Sequence, residues 1–329
     1  MRRELTDAGV VSSRRRLVHE TLEDYYVQIR EPKPGISKAT LRRDQTVMAT
    51  IVAFFGNRRT ADLTVQDCDA LLVALAQGEG SASGGPVSAE YLRRTRSFLR
   101  SAITNDMRLG YITRNVADIA VVPSTTAKPK SRRALAVEEW LRLYLMATGP
   151  TKLVVDLAGR HGLRPQEVRS VRWSGVDFDR RTLSIVTQLD SDDRHVDPKT
   201  VKSTRTIKLH EETLELLSGW KIRQAAARDD SKGRRLDPGP GLIVATRLGT
   251  PINRNNQLRS IKKLCEKTAV PTVTVYELRH TAITHQVEAG HPVAHVADWA
   301  GTSEKMIYEH YRHQIRDVVS LAPPTYTAG

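Results

Sequence analysis

Three separated segments of this chain carry residue types that together can cut a phosphodiester. They are Gly162-Leu163-Arg164-Pro165-Gln166-Glu167, Tyr276-Glu277-Leu278-Arg279-His280-Thr281, and the run from Gly301 to His313 that holds Tyr308 and Tyr311. Cleavage without a metal needs cations on the non-bridging oxygens, a nucleophile in line, and an acid for the departing oxygen. Arginine suits the first task because its planar fork stays charged and binds phosphate with two parallel hydrogen bonds. A tyrosine phenol suits the second, since a phosphotyrosyl ester conserves the bond energy for rejoining. A protonated, mobile lysine suits the third. Arg164 and Arg279, each at the head of a helical pattern, can pinch one phosphate between them, and Glu167 is spaced to brace Arg164 or its helix. Taken singly, either arginine fits a structural ion pair equally well.

Such residues need elements to hold them and a polyanion to act on. The 329-residue chain has a formal charge of +14 and a pI near 10.0. Up to residue 130 there are 20 Lys+Arg against 14 Asp+Glu, and beyond it 31 against 23, so both halves are basic. A nucleic acid touched by two domains accounts for that balance, although a merely soluble basic protein shares it. Cys68 and Cys265 form no CxxC pair, so neither a disulfide framework nor a cysteine metal site is indicated. No apolar run approaches the roughly 20 residues of a membrane span. The first residues lack the apolar stretch of a secretion signal.

Periodicity and turn signals predict a mostly helical chain in five parts. Residues 1–16 read as a flexible basic lead-in ending in Arg14-Arg15-Arg16. Residues 17–120 read as a helical domain, with helices over 17–29, 37–55, 64–76 and 87–109. Ser37 is placed as an N-cap and Thr64 with Asp67 as a capping box. On the helix over 87–109, Leu92, Leu99, Ile103 and Met107 mark an apolar face. Arg93, Arg96 and Arg100 line another, spaced to meet phosphates along a DNA groove or simply to face solvent. Residues 121–133, with two prolines and basic residues including Lys128 and Lys130, read as an extended linker able to track a DNA backbone. Residues 134–316 read as an α+β domain with strands over 182–187 and 204–209, a third near 242–245, and helices over 137–147, 152–160, 211–227, 254–268, 276–289, 292–300 and 303–316. Residues 317–329 form a short tail.

Over nearly its full length the chain resembles the phage-integrase family of tyrosine recombinases. The Gly-Leu-Arg box with its acidic residue is matched by Gly162–Glu167, and Val168, Val171, Arg172, Trp173 and Asp177 fit its usual continuation. The hairpin lysine of the family matches Lys199-Thr200, and its downstream Ser-x-Arg matches Ser203-Thr204-Arg205. The family's His-x-Leu-Arg-His matches Tyr276–His280 except at its first position. Its Gly-His…Tyr box matches Gly301–Tyr311 except at the histidine. That histidine precedes the nucleophile by nine residues in the family, and Thr302 plus nine is Tyr311; Tyr308 lies one turn earlier.

The resemblance implies a SAM-like helical core-binding domain followed by an α+β catalytic domain with a small antiparallel sheet. It implies strand cleavage by Tyr311, phosphate binding by Arg164 and Arg279, support from Glu167 and His280, and Lys199 as general acid in preference to Lys202. Tyr276 and Thr302 stand where the family has histidines. Both can donate hydrogen bonds, but neither is a cation or a base near pH 7. DNA contacts are expected from Arg93, Arg96, Arg100, Lys128, Lys130, Lys202 and Arg205. The implied partners are double-stranded DNA and, on it, a homotetramer assembled from a free monomer, with an accessory directionality factor as a further partner the family admits. No cofactor is implied, and the implied location is the cytoplasm, on the nucleoid.

Two other chemistries are disfavoured by the residues. His291 and His295 have metal-pair spacing, but Pro292 stands where a zinc hydrolase needs glutamate. No phosphate-cradling P-loop occurs. The competing classes are a DNA-binding regulator that kept this fold without the chemistry, motivated by the two missing histidines, and a transposase or relaxing topoisomerase using the same tyrosine.

Overall fold

The computed structural model describes residues 16–81, 84–127, 133–189, 195–196, 204–230 and 241–311. The chain divides into two compact units, Met1–Ser131 and Arg132–Gly329.

The first unit is built from helices whose ends are fixed by local hydrogen bonds. They are α1 (Val18–Tyr25), continued by a π-helical turn (Tyr26–Arg30), α2 (Lys38–Phe55), α3 (Val65–Gln77) and α4 (Ala89–Arg108). Ser37 and Ser88 accept from the backbone N–H groups of Thr40 and Tyr91, each at 3.2 Å. Thr64 and Asp67 cap one another's backbone, at 3.2 and 2.9 Å. These bonds satisfy donors that the first helical turn leaves without partners. Val18, Leu22, Val47, Ile51, Leu72, Leu92, Leu99 and Ile103 meet in one core.

The second unit packs α5 (Val137–Met146), α6 (Gly149–Gly159), α7 (Pro165–Ser170), α8 (Glu211–Asp230), α9 (Arg254–Thr268), α10 (Val275–Glu288), α11 (Val293–Ala300) and α12 (Glu304–Tyr311) around a small sheet. Strands β1 (Val176–Asp177), β2 (Thr182–Ile185) and β5 (Arg205–Lys208) form that sheet, antiparallel in the order β1-β2-β5, with Leu183 facing Ile207. Strands β3 (Gln188–Leu189) and β4 (His195–Val196) form a separate two-stranded pair. Alternation fixes the register: Leu183, Ile185 and Ile207 enter the core, while Ser184 and Thr206 bond one another at 3.0 Å on the outer face. A second, smaller cluster of Ile283, Val287, Val296, Ala297, Ala300, Ile307 and Tyr311 joins α10, α11 and α12.

Several expectations are corrected. Residues 242–245 form no sheet strand; only isolated bridges Arg172 to Leu242 and Ala245 to Pro251 occur there. Ile243 N–H donates to the Val171 carbonyl at 3.0 Å, while the Ile243 carbonyl accepts from Trp220 Nε1 and Gln224 Nε2 of α8 at 2.8 and 3.0 Å. Arg16, assigned to the lead-in, is anchored to Asp24 at 2.6 Å and Asp106 at 3.2 Å. The start of the linker is likewise tied down. Val121 N–H donates to Asp69 at 2.8 Å, and Thr125 Oγ1 donates to the Val87 carbonyl at 2.7 Å. Met107 lies on the exposed side of α4, and the buried face instead takes Thr95, Phe98, Ala102 and Asp106. Among the described residues no helix is long and apolar enough to cross a membrane.

The caps give a direct test. Thr64→Ala should cost about 1 kcal/mol in urea unfolding. Thr46→Ala, which removes only an exposed bond to the Arg42 carbonyl, should stay within about 0.5 kcal/mol.

Candidate active site

The site begins with a turn that only glycine makes comfortably. Gly162 has φ +66°, and a Cβ there would lie 2.9 Å from the Trp299 ring. The turn delivers Arg164 to the N-cap of α7, with Pro165 at the first helical position, where its missing N–H costs nothing. Glu167, at the third position, reaches back to the Arg164 backbone N–H at 2.8 Å. His161 supports the turn from behind by bonding Thr213 at 2.9 Å. Burial, and then the nearby charge of Arg160, push its pKa down to about 3, so it sits there neutral.

The Glu167 carboxylate is the hub of the site. Its Oε1 accepts from Arg164 Nη1 at 2.8 Å and Arg205 Nη1 at 3.0 Å. Its Oε2 accepts from Arg205 Nη2 at 3.0 Å and lies 4.0 Å from Arg279 Nη1. Burial alone would raise this carboxyl's pKa. The hydrogen bonds and charge of Arg205, together with Arg164, outweigh that and hold it below the usual carboxylate range. Three guanidiniums converge on this one carboxylate, and such a concentration of positive charge favours an anion.

The arginines differ in how they are spent. Arg205 is buried: both Nη atoms bind Glu167, and Nε donates to the Trp299 carbonyl at 2.7 Å. Expected among the DNA-contacting residues, it is placed instead as an internal brace, because β5 runs beneath Glu167. Arg164 also donates to the Gly301 carbonyl. Arg279 is 4% exposed, and Nη1 donates to the Gly162 carbonyl at 2.6 Å. Burial, then the charge of Arg164, push its pKa down to about 10, which leaves it protonated at neutral pH.

Beside this cluster lies a small cleft lined by Tyr276, Arg279, His280, Ile283, Thr302, Met306, Ile307, His310 and Tyr311. The structure therefore brings Tyr276, Arg279, His280, Thr302 and Tyr311 together. Arg164 is absent from the lining but adjoins it through Gly301, the neighbour of Thr302. His280 Nδ1 and Tyr311 Oη are 2.8 Å apart, both side chains are buried, and their rings sit 4.8 Å apart at 36°. Tyr308 is 50% exposed and does not line the cleft. His310 and Trp299 were missed from sequence. The signal for Trp299 was available in Gly162, whose vacant Cβ position the indole fills.

The expected DNA-binding residues of the first unit are only partly free for such a role. Arg96 donates to the Ala117 and Asp118 carbonyls at 3.1 and 2.8 Å, and Arg100 bonds the Asp118 carboxylate. Both thereby latch α4 to the 3₁₀ turn Val116–Asp118. Arg93 is exposed beside Glu90, at 3.4 Å. Lys128, Lys130, Lys199 and Lys202 lie outside the described residues.

A sequence model of the phage integrase family matches residues 133–316, more than half of the chain, and the chain belongs to that family. Among curated relatives, a tyrosine recombinase XerC-like protein of Caldanaerobacter subterraneus subsp. tengcongensis is 24% identical over 258 residues, covering 69% of this chain and 63% of the relative. Tyrosine recombinase XerC of Corynebacterium glutamicum is 22% identical over 160 residues, covering 49% and 45%. The chain thus spans less than two thirds of the length of these relatives. The Tn1549 transposon integrase in complex with a circular intermediate DNA superposes with a TM-score of 0.71 at 17% identity, over 90% of this chain and 95% of that one. A lambda integrase dimer bound to a core site gives 0.68 at 19%, over 98% and 84%. At these identities the likeness is one of fold, mostly helical with a small antiparallel sheet.

The hub predicts a pH signature. Because Glu167 is held below its unfolded value of about 4.3, its stabilisation is complete above that pH and is lost as pH falls through its folded pKa. Glu167→Gln should cost about 3–5 kcal/mol at pH 7, and the gap to wild type should narrow in urea unfolding as pH falls below about 4.3. A gap that stays constant with pH would mean that packing, not charge, sets the cost.

Proposed function

We propose that this protein is a site-specific recombinase that cuts and rejoins double-stranded DNA, inserting or excising a mobile element. The observation that carries the reading is the shared cleft, which Tyr311 lines together with Arg279, Thr302 and Tyr276 while Tyr308 stays outside it. The scissile phosphate docks against Arg279 and Arg164, whose excess positive charge it neutralises. Tyr311 Oη attacks phosphorus to give a 3′-phosphotyrosyl link, and the 5′-oxygen leaves with a proton from Lys199. A 5′-hydroxyl from a partner strand then reverses the step. Tyr276 and Thr302 donate hydrogen bonds to phosphate oxygens where family members use histidine.

The working species is a tetramer on paired duplexes, formed from a monomer in the cytoplasm at the nucleoid. Lambda integrase, a relative in fold, has been seen as a tetramer bound to a Holliday junction. The basic balance of both halves of the chain, and the exposed Arg93 with Lys128, Lys130 and Lys202, support contacts to the DNA backbone.

Covalent capture in cells tests the reading. Wild type, Tyr311→Phe and Tyr308→Phe are expressed, denatured rapidly, and the DNA ends linked to protein are sequenced. Discrete ends are expected with wild type and Tyr308→Phe and none with Tyr311→Phe. Absence of adducts from every variant, with tight binding to one sequence retained, would establish a DNA-binding regulator instead.

A further inference from the structure

The attack by Tyr311 has an unanswered proton. A free phenol has a pKa of about 10, so at pH 7 only about one molecule in a thousand is ionised. A buried phenol with no acceptor would be ionised still less. The residues invoked so far cannot take the proton. Arg279 is a cation, and Tyr276 and Thr302 are donors without basicity near neutral pH.

From the 2.8 Å contact between His280 Nδ1 and Tyr311 Oη we infer that His280 is the general base that activates the nucleophile. This rests on Tyr311 being that nucleophile. The two groups come from different elements, α10 and α12, and converge inside the small cluster that fixes both helices, so the pairing is set by tertiary packing. With its proton on Nε2, the neutral imidazole accepts from the hydroxyl through Nδ1, at a distance already inside hydrogen-bond range. The tilted ring contact at 4.8 Å holds the imidazole against the phenol.

The step balances. The Oη–H bond breaks toward Nδ1, the Oη–P bond forms, the P–O5′ bond breaks, and the 5′-oxygen takes its proton from the general acid. In the return step the 5′-hydroxyl gives its proton to the now-deprotonated general acid as the P–O5′ bond forms, and the imidazolium returns its proton to Oη as the Oη–P bond breaks. Imidazolium beside Arg279 is tolerable only while the DNA phosphate is present, so proton transfer is coupled to substrate. The other titratable and charged groups lining the cleft are Tyr276 and Arg279 from α10 and His310 from α12; α11 contributes none to the lining. His310 is exposed at the mouth, and it is the alternative base that an experiment must separate.

The test measures the rate of adduct formation against pH on the DNA site recovered by covalent capture, using the full chain. Wild type should rise with pH and level off once His280 is neutral. His280→Gln should lose about 10²- to 10⁴-fold at pH 7 and instead climb about tenfold per pH unit, as hydroxide takes over. Its thermal midpoint and site binding report whether it folds. A second measurement leaves His280 in place and puts a fluorinated tyrosine, of lower phenol pKa, at position 311. The acid limb should then stay where it is, because it belongs to the imidazole; a limb that moves down with the phenol overturns the inference. So does an unchanged profile in His280→Gln, or a limb that vanishes in His310→Gln alone. If wild type forms no adduct at all, it is the nucleophile reading that fails.

Discussion

One buried carboxylate sets the arrangement of this site. Glu167 caps the helix that begins at Arg164, and the same two oxygens hold Arg164 and Arg205, with Arg279 at 4.0 Å. Three guanidiniums would repel one another strongly in a medium of low dielectric. The carboxylate makes their convergence tolerable without cancelling it. The donors around it are held in fixed orientations, and on the proposed reading such a seat needs little reorganisation when a phosphate arrives. The rest of the second unit is arranged to support this. The Gly162 turn admits Trp299, β5 brings Arg205 beneath the hub, and α10 presents Arg279 and His280 on successive positions.

Features governed by local chemistry were legible in the sequence. Ser37 and the Thr64–Asp67 pair cap helices because their side chains reach donors three residues away, whatever the rest of the fold does. The helix over 254–268 was readable for a similar reason, ending at Ala269 in a left-handed conformation after an amphipathic run. The pairing of Arg164 with Glu167 was readable because three residues on one turn must be neighbours.

What escaped depends on partners distant in sequence. The apolar run 242–245 looks like a strand, and its side chains are buried as a strand's would be, but indole and amide donors of α8 satisfy its carbonyls. Arg205 looks like a cation on a strand facing DNA, and only the three-dimensional path of β5 shows that it points inward. Arg96 and Arg100 share a helical face with Arg93, yet a turn some twenty residues on claims their donors. Position 310 gave no sign, because whether a histidine on a terminal helix faces a cleft is decided by how that helix docks.

The C-terminal end of α11 is held in an unusual way. Its last carbonyls, from Trp299 and Gly301, accept from Arg205 and Arg164, so the negative end of the helix dipole rests on two cations of the Glu167 cluster. Arg164 therefore serves two acceptors, one of them the backbone at the root of the arm that carries Tyr311. On the proposed reading, an anion that draws the Arg164 guanidinium toward itself also alters its hold on Gly301, so the two are thermodynamically linked, and such linkage is reciprocal. On the proposed reading, a change in the set of α12 would be felt in the affinity for the phosphate, and the reverse.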